Sequence, residues 1–250
     1  MAASPVIDPA ATGTPHEVWS RWRRGLPVLP TAGCRHVIVL AAHPDDEVLG
    51  AGGLIALARS HGVPVTIVVA TNGEASHPNS PSHSPEQLAR IRIEESRLAA
   101  GELAAEPPVR LGLADGDLTA QQTLLGERLH DILSRHGGAD ARCVSVWRHD
   151  GHPDHEAVGR AGAAACGRTG TPLIEFPVWM WHWATPEHPL LRGIEARRLP
   201  LPGTARNAKI RALNRFRSQT LPLSDDPADR AILPPHVLER FTGSAEVFFL

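Results

Sequence analysis

A buried strand that ends in a cluster of ionisable side chains constrains the fold of this chain more than any other feature. Residues 37–42 are all apolar, and one histidine and three carboxylates follow within the next five residues, His43 to Glu47. A helix of small residues is predicted directly afterwards, from about Glu47 to His61, with Gly62 as its stop. Open α/β sheets place their binding groups where a buried strand ends and a helix begins. The sequence therefore predicts a functional site at this junction.

A second cluster of the same kind follows another apolar run. Residues 143–147 read Cys-Val-Ser-Val-Trp, and the cluster Asp150-Gly151-His152-Pro153-Asp154-His155 comes shortly after them. The remaining predicted strands cover about 36–42, 65–71, 109–113, 173–183 and 245–250. The predicted helices after the first cover about 84–101, 119–137, 155–166 and 205–218, and the second and third of the five begin with capping boxes, at Ser84 and Thr119.

Strands and helices alternate, which indicates a mostly parallel, doubly wound, Rossmann-like sheet with helices on both faces. In the common strand order 3-2-1-4-5, the first and fourth strands are neighbours where the winding reverses. The two clusters follow these two strands, so we expect them to face each other across one crevice.

The length of 250 residues suits one domain with a large core. Residues 1–33 are rich in Ala, Pro, Thr and Gly, and we expect an extended N-terminal arm whose Trp19 and Trp22 pack on the body. Residues 34–250 are predicted to form the single catalytic domain.

Composition narrows the class of protein. With 25 Lys and Arg against 27 Asp and Glu, the net charge is −2, and the absence of a basic stripe argues against a nucleic-acid partner. Cys34, Cys143 and Cys166 form no close pair in the sequence, which favours a reducing compartment. No signal peptide or apolar run near 18 residues is visible, so a protein of the cytoplasm without a membrane span is expected.

The spacing within both clusters is typical of metal ligands. His43 and Asp46 are three residues apart, as are His152 and His155, and residues three apart share one face of a helical turn. Imidazoles with a carboxylate bind zinc or a similar divalent ion in catalytic sites. A further carboxylate can act as a general base, and a further imidazole can stabilise an oxyanion or protonate a leaving group. Spacing alone leaves open which histidine of the second pair binds the metal.

Two other interpretations are weaker. A single His-Pro-Asp sequence is usually a turn, and an Asp at a helix start is usually a cap, but two such clusters after two buried strands argue against coincidence. A dinucleotide site is excluded because Gly50 and Gly52 would require a third glycine where Ile55 stands.

The two motifs together resemble the PIG-L/LmbE family of zinc-dependent deacetylases, which act on N-acetylglucosaminyl and related N-acyl sugar conjugates. The resemblance covers about residues 35–220 and includes the Arg92-x-x-Glu95 helix and the Gly112–Leu118 loop. It implies an LmbE-like fold and a small-molecule amino-sugar substrate. It also implies roles for single residues: His43, Asp46 and His155 as ligands of zinc, iron or another divalent ion; Asp45 as general base; His152 as acid or oxyanion stabiliser, oriented by Asp154; and Arg92 and Asp115 as sugar contacts.

One departure from the family pattern concerns the oxyanion. Some relatives use a tyrosine just before the second motif, and this sequence contains no tyrosine. The substrate could instead be a longer N-acyl amide or a thiol conjugate, or the protein could bind metal without turnover, although binding alone requires neither Asp45 nor His152. A homo-oligomer remains open.

Two further stretches keep more than one interpretation. If residues 173–183 are extended, Trp179, Trp181 and Trp183 share one face and could form a platform for a sugar ring or acyl chain, a subunit contact or a stripe packed under the tail. The loop at residues 75–84 is either a mobile lid or a surface loop.

Overall fold

The computed structural model describes residues 7–31 and 33–250, so residues 1–6 and 32 of the predicted N-terminal arm lie outside the described residues. The strands are β1 His36–Ala41, β2 Val65–Thr71, β3 Val109–Leu113, β4 Ala141–Val146, β5 Leu173–Phe176, β6 Ala196–Pro200 and β7 Ala245–Phe249. The helices are α1 His16–Arg24, α2 Asp46–Ser60, α3 Pro85–Glu102, α4 Gln122–His136, α5 Pro153–Thr169, α6 Met180–Trp183, α7 Gly203–Leu213, α8 Arg217–Thr220 and α9 Pro235–Leu238.

The seven strands form one sheet in the order β3-β2-β1-β4-β5-β7-β6. The first five are parallel, which confirms the predicted order 3-2-1-4-5 and the adjacency of β1 and β4. The last strand of the chain, β7, lies antiparallel between β5 and β6 and completes the sheet. Nearly every residue of β1 and β4 is buried, because helices cover a parallel sheet on both sides.

Helices α2 and α5 lie on opposite faces of this sheet. A Cβ atom at Gly50 of α2 would lie 1.8 Å from the ring of Phe176, whereas one at Gly162 of α5 would lie 2.9 Å from the side chain of Leu40 and 3.4 Å from Ser145. Phe176 pairs with Val146, the residue after Ser145, and successive residues of a strand point to opposite faces. Helix α7 packs on α2, α3 packs on α7, and α4 packs on α5.

The predicted extended arm is wrong in conformation, because residues 16–24 form helix α1. Its tryptophans do pack on the body. Trp19 is fully buried, and its ring nitrogen donates a hydrogen bond to the carbonyl oxygen of Trp181. Trp22 is half-buried and packs edge-on against Trp19 and Trp181.

The predicted extended segment at residues 173–183 is also wrong beyond Phe176. The strand ends there, and residues 180–183 form the short helix α6. The three indoles consequently point to three places: Trp181 packs on α1, Trp183 donates to the carbonyl oxygen of Asp150, and Trp179 lines a cleft. A shared aromatic face therefore does not form.

Smaller differences concern helix ends. The capping box predicted at Ser84 forms, but the one at Thr119 does not, since α4 starts at Gln122. The helix predicted at 205–218 is divided into α7 and α8. In the described part of the chain, no helix combines the length and the apolar character that crossing a bilayer requires.

Candidate metal centre

The two motifs meet at the carboxyl ends of β1 and β4. These strands pair with Leu40 opposite Ser145, and the chain continues from each directly into its motif. Asp46 opens α2, and His155 lies in the first turn of α5. The sequence prediction that both clusters face one crevice is therefore confirmed.

Three side chains converge within contact distance at this point. His43 Nδ1 lies 3.2 Å from His155 Nε2, His155 Nε2 lies 3.3 Å from Asp46 Oδ1, and His43 Nδ1 lies 3.6 Å from Asp46 Oδ2. Ligand atoms bound tetrahedrally at 2.0–2.1 Å from zinc are separated by about 3.3 Å. The three contacts are close to this spacing, and the two histidines face different oxygens of Asp46.

The hydrogen bonds on the far side of each ring decide which nitrogen carries a proton. His155 Nδ1 lies 2.8 Å from Asp150 Oδ2, so Nδ1 is the donor and Nε2 keeps its lone pair. His43 Nε2 lies 2.9 Å from Asp115 Oδ1 and 3.2 Å from Asp154 Oδ2, so its Nδ1 keeps the lone pair. Two lone pairs and a carboxylate thus face one another, and this donor set suits a divalent metal ion.

The charges around the two imidazoles also favour a positive charge here. Burial lowers the pKa of His43, but the hydrogen bonds that Asp115, Asp154 and Asp46 accept from its ring outweigh the effect of burial and hold the pKa well above its usual value. Burial also lowers the pKa of His155, but the carboxylates of Asp46 and Asp150 outweigh burial, so the pKa is raised. The pKa of Asp46 lies well below its usual value in spite of burial, because His155 and His43 stabilise its charged form.

Other donor combinations are close by. His43, His152 and His155 each offer one ligand atom within 4.8 Å of the others, and so do His43, Asp115 and Asp154. In the second group the carboxylates already accept the Nε2 proton of His43.

Asp45 has the most unusual backbone of the site. Its φ of 130° lies in a region that side chains rarely adopt, at a cost of about 1–3 kcal/mol. Its N–H donates to Glu47 Oε2 at 3.0 Å, and the carbonyl oxygen of the preceding Pro44 accepts from Arg92 Nη2 at 2.7 Å. Fixed hydrogen bonds on both sides therefore hold the strained residue.

The carboxylate of Asp45 is paired with Arg92. Arg92 Nη2 donates to Asp45 Oδ2 at 2.9 Å, and its Nη1 donates to the carbonyl oxygen of Gly73 at 3.0 Å. Burial raises the pKa of Asp45 to about 7. The positive charge of Arg92 opposes this rise, and the negative charge of Asp46 adds to it. Both amino groups of Arg92, expected to touch the sugar, are thus engaged within the protein.

His152 lies at the start of α5 and lines the same cleft. Its Nδ1 accepts a hydrogen bond from the backbone N–H of Asp154 at 3.3 Å, which leaves Nε2 as the protonated nitrogen. Burial and the neighbouring His155 and His43 lower the pKa of His152 to about 3.

The carboxylate of Asp154 does not orient His152 as the resemblance implies. It lies against His43 Nε2 and also accepts the N–H groups of Gly116 at 2.7 Å and Leu118 at 3.1 Å. Asp115 is engaged as well, since its Oδ2 accepts the N–H of Ala75 at 2.7 Å. Both carboxylates therefore fix the outer nitrogen of His43.

Asp150 has a position that the sequence reasoning missed. It is fully buried, and besides His155 it accepts the N–H groups of Val178, Trp179 and Met180 at 2.8–3.0 Å. Metal-binding histidines usually donate their second nitrogen to a carboxylate. An aspartate five residues before His155 in the same motif was the available signal.

All predicted site residues except Asp154 line one cleft of about 250 Å³: His43, Asp45, Asp46, Arg92, Asp115, His152 and His155. His182 lies outside this cleft, where its carbonyl oxygen accepts the N–H of Thr14.

The sequence matches known proteins over its motif-bearing part. A family model described as PIG-L: GlcNAc-PI de-N-acetylase matches residues 38–166. A Bacillus cereus protein, named probable N-acetyl-alpha-D-glucosaminyl L-malate deacetylase 2, is 32% identical over 148 residues. That alignment covers 58% of this chain and 66% of the relative, just under two thirds of its length.

Solved structures share the fold at low sequence identity. The N,N'-diacetylchitobiose deacetylase from Pyrococcus horikoshii superimposes with a TM-score of 0.61 at 20% identity, covering 88% of this chain and 82% of that chain. The hydratase GalB from Pseudomonas putida, which acts on 4-carboxy-2-hydroxymuconate, gives a TM-score of 0.59 at 20% identity, with 83% of each chain covered. Because one fold carries both activities, function has to be argued from the site.

Proposed function

This chain belongs to the PIG-L family of GlcNAc-PI de-N-acetylases, and from that premise we propose that it is a metal-dependent hydrolase of an amide C–N bond. The reaction removes the acetyl group from the N-acetylamino group of an amino sugar or sugar conjugate, and it leaves a free amine. The observation that carries the proposal is the convergence of donor atoms from His43, Asp46 and His155 in the cleft that Asp45 also lines.

His43, Asp46 and His155 are proposed as the protein ligands, with zinc as the first choice and iron or another divalent ion as alternatives. Such an ion supplies a water whose pKa is lowered to about 7 and a Lewis acid for the amide carbonyl. The outer contacts of Asp150 on His155, and of Asp115 and Asp154 on His43, keep both imidazoles turned toward the metal position.

Asp45 is proposed as the general base. It immediately precedes a metal ligand, and Arg92 and the strained backbone hold its carboxylate in one place. Only Oδ2 is paired with Arg92, so Oδ1 can take the proton of the attacking water. A base held in hydrogen-bond reach contributes about 10²–10⁴-fold to a rate.

His152 is proposed to stabilise the carbonyl oxygen as negative charge develops on it. Its Nδ1 accepts a backbone N–H, so the proton resides on Nε2, the nitrogen that can donate a hydrogen bond to an oxyanion. This assigns to His152 the role that some relatives give to tyrosine. The lowered pKa of His152 opposes the acid role that the resemblance also implies for it, so Asp45, protonated by the attacking water, is proposed to pass that proton to the departing nitrogen.

Arg92 and Asp115 remain proposed sugar contacts because both line the cleft. Their bonds within the protein make them rigid, so a sugar hydroxyl would share donors and acceptors that are already positioned. The chain's cysteines are free among the described residues, in keeping with the cytoplasmic location proposed for the enzyme.

The first test is the metal content of the purified protein. We expect about one zinc or iron per chain in the wild type and its loss in His155→Ala. The matched control is His149→Ala, because His149 lies exposed six residues earlier and outside the site. Absence of metal from the wild type, even after zinc is added, would contradict the proposed mechanism.

Turnover is tested next on N-acetylglucosamine conjugates by release of acetate. Asp45→Asn should retain the metal and lose turnover by at least about 100-fold. Loss of metal from that variant would contradict its role as a base. A protein that keeps its metal but releases no acyl group from any N-acyl amino sugar would instead be a non-catalytic binding protein.

A further inference from the structure

The lining of the cleft beside the metal position combines two kinds of side chain. Ionisable side chains of the two motifs form one part, hereafter the motif side. The other part, hereafter the apolar wall, consists of Ile7, Pro9, Val178, Trp179, Ile232 and Leu233. All six lie outside residues 38–166, the part of the chain that the family model matches, so this wall belongs to segments that the shared motifs do not specify.

The apolar wall is continuous with the site. The backbone N–H groups of Val178 and Trp179 donate to Asp150, whose carboxylate also holds His155. A group bound along this wall is therefore placed next to the reacting amide. Leu233 is anchored in turn by its N–H, which donates to the carbonyl oxygen of Gln219.

The N-terminal part of the wall is held in place by the C-terminal region. Arg240 Nη2 donates to the carbonyl oxygens of Thr12 at 2.7 Å and Thr14 at 3.0 Å. The hydroxyl of Thr14 donates to the carbonyl oxygen of Ala184, and His236 Nε2 lies 3.1 Å from the carbonyl oxygen of Pro9. Residues 7–14, hereafter the N-terminal segment, are thus fixed to the body of the protein, and Ile7 and Pro9 of this segment line the cleft.

Gly13 allows this path. Its φ of 58° is left-handed, and a Cβ atom there would lie 2.6 Å from both Nδ1 and the carbonyl oxygen of His182. Any side chain at this position would push the N-terminal segment away from the body, and Ile7 and Pro9 would move with it.

A wall of this composition selects for an apolar partner. Apolar surface contributes about 25 cal/mol per Å² when it leaves water, whereas sugar hydroxyls gain nothing against isoleucine, valine or proline. Ligand pockets combine such surfaces with a few polar groups that fix orientation, and here the motif side supplies the polar groups.

We propose that the apolar wall, including Ile7 and Pro9, binds an alkyl or aryl substituent of the substrate and thereby determines specificity. This inference rests on the proposed function. The substituent is either an N-acyl chain longer than acetyl or an apolar aglycone, and both present the same chemistry to the wall. The N-terminal segment is accordingly a specificity element of the enzyme.

The test measures binding separately from turnover. Calorimetry on the intact, metal-loaded protein compares hexyl with methyl glycosides of glucosamine, which contain no amide to hydrolyse. A second pair compares N-hexanoyl- with N-acetylglucosamine, by KM where turnover occurs and by Kd where it does not. In one of the two pairs, we expect the compound with the longer chain to bind at least about tenfold more tightly than the compound with the shorter chain. The pair that shows this difference identifies the source of the substituent.

Variants then locate the wall. The affinity ratio is that of the longer-chain to the shorter-chain compound in the discriminating pair. Ile7→Ser, Ile232→Ser and Gly13→Ala should each lower this ratio about fivefold. Val18→Ser is the matched control, because Val18 is an exposed β-branched residue of α1 close to the N-terminal segment, and it should leave the ratio unchanged. Gly13→Ala reports on the path of the segment without changing any side chain of the wall.

Three outcomes separate the hypotheses. A ratio near one for both pairs in the wild type overturns the inference. If Ile232→Ser lowers the ratio but the folded Ile7→Ser and Gly13→Ala variants leave it unchanged, the role of the N-terminal segment is overturned. A high ratio with no acyl release from any N-acyl substrate supports the wall and overturns the proposed deacetylase function.

Discussion

Substitution of Asp150 tests the metal centre at a residue that touches neither metal nor substrate. Its Oδ1 accepts the N–H groups of Val178 and Met180, and its Oδ2 accepts those of Trp179 and the His155 ring. Asp150→Asn conserves the shape but converts one of the two oxygens into an NH₂ donor. Two of the four donors then lose their acceptor, whichever way the amide turns.

The size of the effect on stability or on metal binding depends on which two donors lose their acceptor. If the amide oxygen stays with His155, two buried backbone N–H groups are unpaired, at about 1–3 kcal/mol each, so the free energy of unfolding of the metal-free protein should fall by about 2–6 kcal/mol. If the amide turns the other way, the ring faces a donor at Nδ1 and its proton moves to Nε2, the nitrogen that the metal requires. Loss of such a carboxylate typically weakens metal binding about 10- to 100-fold, or about 1.4–2.8 kcal/mol.

The assay is competition for zinc against a chromophoric chelator at pH 7.5, together with urea unfolding of the metal-free protein. Asp131→Asn is the matched control, because Asp131 is exposed on α4 and makes the same change of charge. A folded Asp150→Asn protein whose zinc affinity stays within twofold of the wild type would refute the argument that Asp150 orients His155.

Three further predictions concern the scaffold, each checked by urea unfolding of the metal-loaded protein. Gly50→Ala should lower the free energy of unfolding by about 1–3 kcal/mol, because its Cβ would overlap the ring of Phe176; an unchanged value would mean that the helix shifts freely. Lys209→Met should cost about 3–5 kcal/mol, since it leaves the buried Glu246, 2.7 Å from Lys209 Nζ, without its cation. A cost below 1 kcal/mol would show that this ion pair is not isolated from water. Ser84→Ala removes the N-cap of α3 and should cost about 1 kcal/mol, and no loss would contradict the capping box.

Sheet order and motif placement were predictable because they depend on local patterns. Apolar runs of strand length, capping residues and the alternation of strands with helices each act over a few residues. Parallel connections then leave few topologies. Hence β1 and β4, and with them His43 and His155, could be placed side by side from the sequence.

The conformation of short segments between these elements was less predictable. Residues 16–24 are helical and 180–183 leave the strand, because Trp19 and Trp181 pack together and Asp150 accepts the N–H groups that open α6. The local sequence does not indicate these contacts, because the two partners of each contact lie more than 25 residues apart in the chain.

The sequence by itself therefore determined the fold class, the paired motifs and the set of candidate donors, since each depends on residues close together in the chain. Only the tertiary structure decided that the carboxylate of Asp154 contacts His43 rather than His152, that Arg92 pairs with Asp45, and that Ile7 and Pro9 of the N-terminal segment line the cleft. These contacts join segments brought together by packing. Side-chain partners at such distances follow from the assembled core, and no local pattern encodes them.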